Sequence, residues 1–90
     1  MTTTTFAPMT ALEIRAAATL LQWSTACQKI KFATEDGDVR TAHVRVIDWK
    51  RGCDIREAEV RLTMSTGWEV FWSGAKLIEM IRDHLIVADK

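Results

Sequence analysis

The chain has no tyrosine, one proline (Pro8) and four glycines, and its twelve lysines and arginines are matched by twelve aspartates and glutamates. Each scarcity excludes something. With zero net charge there is no overall field to draw the chain to nucleic acid or to an acidic membrane, so any such attraction has to be local. Gly37, Gly52, Gly67 and Gly74 never cluster, which argues against a phosphate-cradling loop. Cys27 and Cys53 lie far apart with no C-x-x-C spacing, so they suit reduced thiols better than a zinc knuckle or a redox pair. No window approaches the roughly 20 apolar residues of a membrane span, and no membrane association is expected. The opening MTTTTFAPMT has neither a basic segment nor an apolar run, so no secretory signal is expected and a cytoplasmic location is.

Catalytic constellations are equally scarce. His43 and His84 are the two histidines, and neither has a carboxylate or thiol at a spacing that makes a metal site. No G-x-S-x-G elbow surrounds Ser24, Ser65 or Ser73. Glu35, Asp36 and Asp38 crowd a turn, where solvated carboxylates are the simpler expectation than an acid–base pair. The expectation is a protein with no catalytic residues, no metal, no cofactor and no small-molecule substrate.

What is present is a folding pattern. Hydrophobic residues make up 48% and charged residues 27% of ninety positions, a globular rather than disordered balance. Residues 1–8 are expected to be a disordered N-terminal tail and residues 9–90 a single domain. A chain of this length buries only about two-thirds of its unfolded surface, too little for a deep cleft.

Thr10 and Glu13 form a T-x-x-E capping box, and Met9 can staple onto Ile14. Leu12, Ala16, Leu20, Trp23 and Cys27 then recur at helical spacing, with Ile14, Ala17 and Leu21 widening the stripe to an end near Cys27. From Lys29 the period becomes two, with Ile30 and Phe32 opposite Lys29 and Lys31. Asp36-Gly37 supplies the positive backbone angles of a hairpin turn. VRTAHVRVIDW alternates again, Ala42, Val44 and Val46 against His43, Arg45 and Ile47, and KRGCD turns the chain. A third strand places Ala58, Val60, Leu62 and Met64 opposite Glu59, Arg61 and Thr63. After Ser65-Thr66-Gly67 a fourth places Trp68, Val70 and Trp72 opposite Glu69 and Phe71. Ser73 caps a last helix whose stripe is Leu77, Ile78, Ile81 and Leu85. The expected fold is α+β, a two-layer sandwich of helix, four-stranded antiparallel meander and helix (α-β-β-β-β-α).

Met9–Ser24 resembles the opening helix of the helix-turn-helix repressors of phage type, and Trp49-Lys50-Arg51-Gly52 resembles the W-x-R-G end of their recognition helix. The resemblance implies a transcriptional regulator. The intervening TACQKIKFATEDGDVRTAHVRVID departs from that pattern: it lacks the L-A-x-x-x-G core and has β-branched alternation where two helices should be.

Opposite the core positions lie Lys29, Lys31, His43, Arg45, Ile47, Trp49, Arg61 and Phe71, so cations and aromatics share one sheet face. An ordinary solvated face is the simplest reading, with Glu59 and Glu69 pairing across strands. The functional reading is a non-catalytic interaction module, an accessory or inhibitor-type protein of the kind phages and mobile elements carry. It would bind a protein partner or a second copy through the sheet face or edge. The expected binding residues are Lys31, His43, Arg45, Ile47, Trp49, Arg61 and Phe71. The alternative is single-stranded nucleic acid, whose bases stack on rings while phosphates meet lysine and arginine. Trp23, Trp68 and Trp72 are expected in the core at the helix–sheet junction.

Overall fold

The capping box at Thr10 opens the first helix. The Glu13 N–H donates to the Thr10 hydroxyl at 3.2 Å, and the Thr10 N–H donates to the Glu13 carboxylate at 3.1 Å. In the computed structural model, which describes residues 7–89, this helix is α1 (Ala11–Ala26). Residues 1–6, most of the expected tail, and Lys90 lie outside the described residues. The strands β1 (Lys29–Ala33), β2 (Val39–Asp48), β3 (Glu59–Met64) and β4 (Glu69–Ser73) follow, then α2 (Gly74–Arg82) and β5 (Ile86–Ala88). A 3-10 turn at Ile55–Glu57 precedes β3.

The sheet has five strands in the order β4-β3-β2-β1-β5, every neighbouring pair antiparallel. The expected meander of four is therefore extended by one strand. The stripe Leu77, Ile78, Ile81, Leu85 runs past the true helix end. His84 takes the left-handed conformation (φ 59°), the His84 N–H donates to the Ile81 carbonyl and the Leu85 N–H to the Met80 carbonyl. That pattern closes a helix, usually on glycine. Here no glycine or proline marks the stop, and a short apolar run suits helix and strand alike. Leu85 is consequently exposed, while Ile86 is buried and pairs with Phe32 on β1. α1 ends the same way, on Cys27 at φ 50°.

Both helices cover one sheet face. Ala16, Ala17 and Leu20 of α1 and Leu77 and Ile78 of α2 join Ile30, Phe32, Ala42, Val44, Val60, Leu62 and Ile86 in one core. Leu20, Ile30, Val44, Val60, Leu62 and Leu77 are fully buried. Leu12 and Ile14, expected on the covered stripe, are exposed, and the buried residues of α1 are Ala16, Ala17 and Leu20. Gly74 is also sterically required. Its N–H donates to the Ala58 carbonyl at 2.8 Å, and a Cβ there would collide with the Ile55 carbonyl oxygen. A hairpin turn forms at the expected place, but only Gly37 has a positive φ (86°) and Asp36 does not; the Gly37 N–H donates to the Thr34 carbonyl and the Thr34 N–H to the Asp38 carbonyl.

β2 carries a bulge. Val46 pairs with Val60, but Asp48 rather than Ile47 pairs with Glu59. At that point the Val46 N–H donates to the Ser24 hydroxyl of α1 at 2.9 Å, so the helix occupies the donor nearest the irregularity.

Two stability predictions arise here. Replacing His84 with glycine relieves the left-handed strain of a non-glycine residue, offset by the extra freedom of glycine when unfolded. The expected gain is up to about 1 kcal/mol, read as a higher urea midpoint at unchanged slope. Secondly, three carboxyls sit below their ordinary values: Glu13 through the hydrogen bond from the Thr10 backbone, Asp54 through the Arg56 side chain, and Asp83 through the Arg82 side chain. Each binds its proton less readily folded than unfolded. Their contribution is therefore complete above the ordinary carboxylate range and is lost as pH falls through the depressed folded values. The urea midpoint should hold level from neutrality down to that range and then drop, with a shallower drop for Glu13→Gln.

Candidate functional site

With both helices on one side, the other face of the sheet has no covering layer among the described residues. The ladder registers define its surface. Arg45 of β2, Arg61 of β3 and Phe71 of β4 lie directly opposite one another in a row across three strands. In the next row toward the bulge, Asp48 faces Glu59 and Glu59 faces Ser73. On the other side of the basic row, Lys29, His43, Thr63 and Glu69 run across four strands. Beyond that, Thr41, Lys31 and Val87 are paired.

The expected binding residues Lys31, His43, Arg45, Arg61 and Phe71 are thus brought onto one face. Phe71 is 52% exposed although it sits in a strand, and Val39 and Val87 add apolar surface toward β5. Ile47, 40% exposed, occupies the bulge, which shifts the alternation by one residue. Trp49 lies beyond the end of β2, 45% exposed, with its indole N–H donating to the Cys53 carbonyl at 2.8 Å. It is fastened to the turn next to the face rather than placed in a strand row.

Trp68 corrects an expectation. It has the parity of the core residues Val70 and Trp72, yet is 75% exposed. It sits at the hairpin end of edge strand β4, where the Met64 N–H donates to its carbonyl and no helix covers the ring. The turn glycine immediately before it was the available signal. Trp23 and Trp72 do pack against the core, Trp72 edge-on to Phe32 with the Lys76 ammonium 4.3 Å from its ring centre.

The charges on the face are poorly matched within the chain. Arg61 Nε lies 3.5 Å from the Glu69 carboxylate, without a hydrogen bond in line, although that nitrogen is itself buried. Lys29 reaches Asp89 at 3.7 Å. Among the described residues, no salt bridge reaches Lys31, Arg45, Asp48 or Glu59. Two like-charge pairs, Arg45 with Arg61 and Asp48 with Glu59, instead stand directly across from each other. Such pairs destabilise a sheet.

A second feature is an open groove of about 470 Å³ between α1 and β5, lined by Leu12, Trp23, Ile81 and Val87 with Arg15 and His84 beside them. Among the described residues no group of three or more His, Cys, Asp or Glu could hold a metal ion, and no helix is long and apolar enough to cross a membrane.

The chain matches no protein-family model, no curated protein and no solved structure.

The like-charge row makes a direct prediction. Arg45→Thr, which replaces one of two facing guanidiniums with a good strand former, should raise stability by up to about 1 kcal/mol in dilute solution. A lower thermal midpoint for this variant would show that Arg45 has a stabilising partner after all.

Proposed function

We propose that this chain is a non-catalytic interaction module that binds a protein partner through its uncovered sheet face. The supporting observation is that Phe71 and Arg45 stay exposed in one row with Arg61, on a face with no helix or loop over it among the described residues. An apolar ring beside arginines is the composition of interface centres, where rings fill pockets and guanidiniums make directional contacts. Ile47 and Trp49 extend the apolar area at one end, while Lys31 and His43 form the polar side. This composition also fits an accessory or inhibitor-type protein, whose work is to occupy a surface on another molecule.

The second reading is single-stranded nucleic acid, favoured by the same row because a base can stack on Phe71 while phosphates meet Arg45, Arg61 and Lys31. The carboxylates of Glu59, Glu69 and Asp48 on the same face weigh against it, since each repels a phosphate.

Capture experiments decide between them. Immobilised wild-type chain and the Phe71→Lys, Arg45→Glu double variant are exposed to lysate of the source cells. The expected outcome is a protein retained by the wild type and lost from a variant with unchanged circular dichroism. An identical retained set would dismiss the face as the binding surface. Anisotropy with a labelled single-stranded oligonucleotide tests the second reading. Three cations in contact with phosphates require log K to fall with log salt at a slope of about −2. No binding at low salt removes that reading.

A further inference from the structure

The unmatched rows form a pattern that a monomer does not explain. A basic row, Arg45 and Arg61, lies next to an acidic row, Asp48 and Glu59, on the same two strands. Interleaved charges would have neutralised each other within the sheet. Segregated ones leave two repulsive pairs side by side; Glu69, in the row beyond, lies 3.5 Å from Arg61, but among the described residues no salt bridge reaches Arg45, Asp48 or Glu59.

Resting on the reading that the open sheet face is an interaction surface, we infer that its partner is a second copy of this chain, docked face to face about a two-fold axis. That axis would run across the strands between the two rows. It would lie at the level of Val46, Val60 and Trp72, residues paired in one row and turned toward the helices. A rotation about such an axis keeps each strand over its own counterpart and exchanges the rows. Arg61 then faces Glu59 of the other copy, Arg45 faces Asp48, and Phe71 faces Ser73. Each ion pair occurs twice, as the symmetry of an isologous contact requires. Every like-charge pair of the monomer gains an opposite-charge partner.

The geometry is compatible with known packing. Adjacent same-face rows are about 7 Å apart along a strand, and stacked sheets lie about 10 Å apart, a gap that facing arginine and glutamate side chains can span. The two-fold reverses strand polarity, so each strand lies antiparallel over its own counterpart with the strand axes nearly aligned, the aligned class of sheet packing. Only the end of the face nearest the bulge overlaps, so the contact belongs at the small end of specific interfaces, roughly 1,200 Å² or less in total. A reversible dimer sensitive to salt is expected, since its pairs lie close to solvent.

The test is charge complementation followed by sedimentation velocity of the full chain, over a dilution series at low ionic strength. Wild type should shift from monomer to dimer with rising concentration and return to monomer at high salt. Arg61→Glu and Glu59→Arg should each remain monomeric, because each places like charges across the axis. An equimolar mixture of the two should regain the dimer. Thermal melts confirm that each variant folds, and Arg45→Asp with Asp48→Arg serves as the second complementary pair if one of the first does not. A wild type that stays monomeric at every concentration overturns the inference, as does an Arg61→Glu variant that still dimerises or a folded mixture that does not associate. If the chain is monomeric while lysate capture still depends on the face, self-association alone fails. If neither depends on the face, the interaction module fails with it.

Discussion

The pairing of β2 with β3 is the constraint on which the rest of the molecule depends. Val44 against Leu62 and Val46 against Val60 set the parity of the central strands, and all four side chains point to the side where α1 and α2 lie. A one-residue slip would turn every one of them to solvent and bring Arg45 and Arg61 beneath the helices, at the cost of burying two unpaired guanidiniums. The register is therefore set twice, by what must be buried and by what cannot be. The same parity that builds the core also creates the uncovered face, since two short helices have enough apolar surface for one side only.

That face ends where the register changes. The bulge after Val46 lets Asp48 take the place beside Glu59 that strict alternation would assign to Ile47. One inserted residue thus converts an apolar–acidic pair into an acidic–acidic one and moves Trp49 off the strand rows into the turn. Beside this irregularity Ser24 accepts the Val46 N–H, which links the last turn of α1 to the boundary of the candidate surface.

Much of the fold was legible in the sequence because period and punctuation agreed. The Thr10–Glu13 box, a turn at Gly37 and the alternation through β1 to β4 as far as the bulge after Val46 are all present in the structure. The parts that were not legible share a cause. Both helices end on a left-handed residue that is not glycine, Cys27 and His84, so the second stop carries no composition signal: the helical stripe extends to Leu85 and the strand at Ile86–Ala88 goes unrecognised. Trp68 followed the inward parity correctly, but parity says which way a side chain points and not whether anything lies above it. Of the candidate face, Lys31, His43, Arg45, Arg61 and Phe71 could be grouped from alternation alone. Which of them stand opposite which could not, because cross-strand partners depend on turn geometry and on a bulge that no residue type announces.

Net charge shows the same limit from another direction. Twelve cations and twelve anions sum to zero, and a zero sum describes equally well a surface of mixed charges and one of separate bands. The two differ in their energetics. A mixed surface satisfies itself, so a second molecule adds little. A banded one carries like-charge repulsion that Glu69 relieves only at Arg61, and that an oppositely ordered surface would relieve along both bands. On this sheet the bands are equal in number and adjacent, so the oppositely ordered surface is the same surface turned over. The repulsion also opposes incorrect docking, because a copy displaced by one row along the strands meets like charge with like. Segregation of this kind lowers the stability of the isolated sheet and, on the proposed reading, raises the selectivity of whatever covers it.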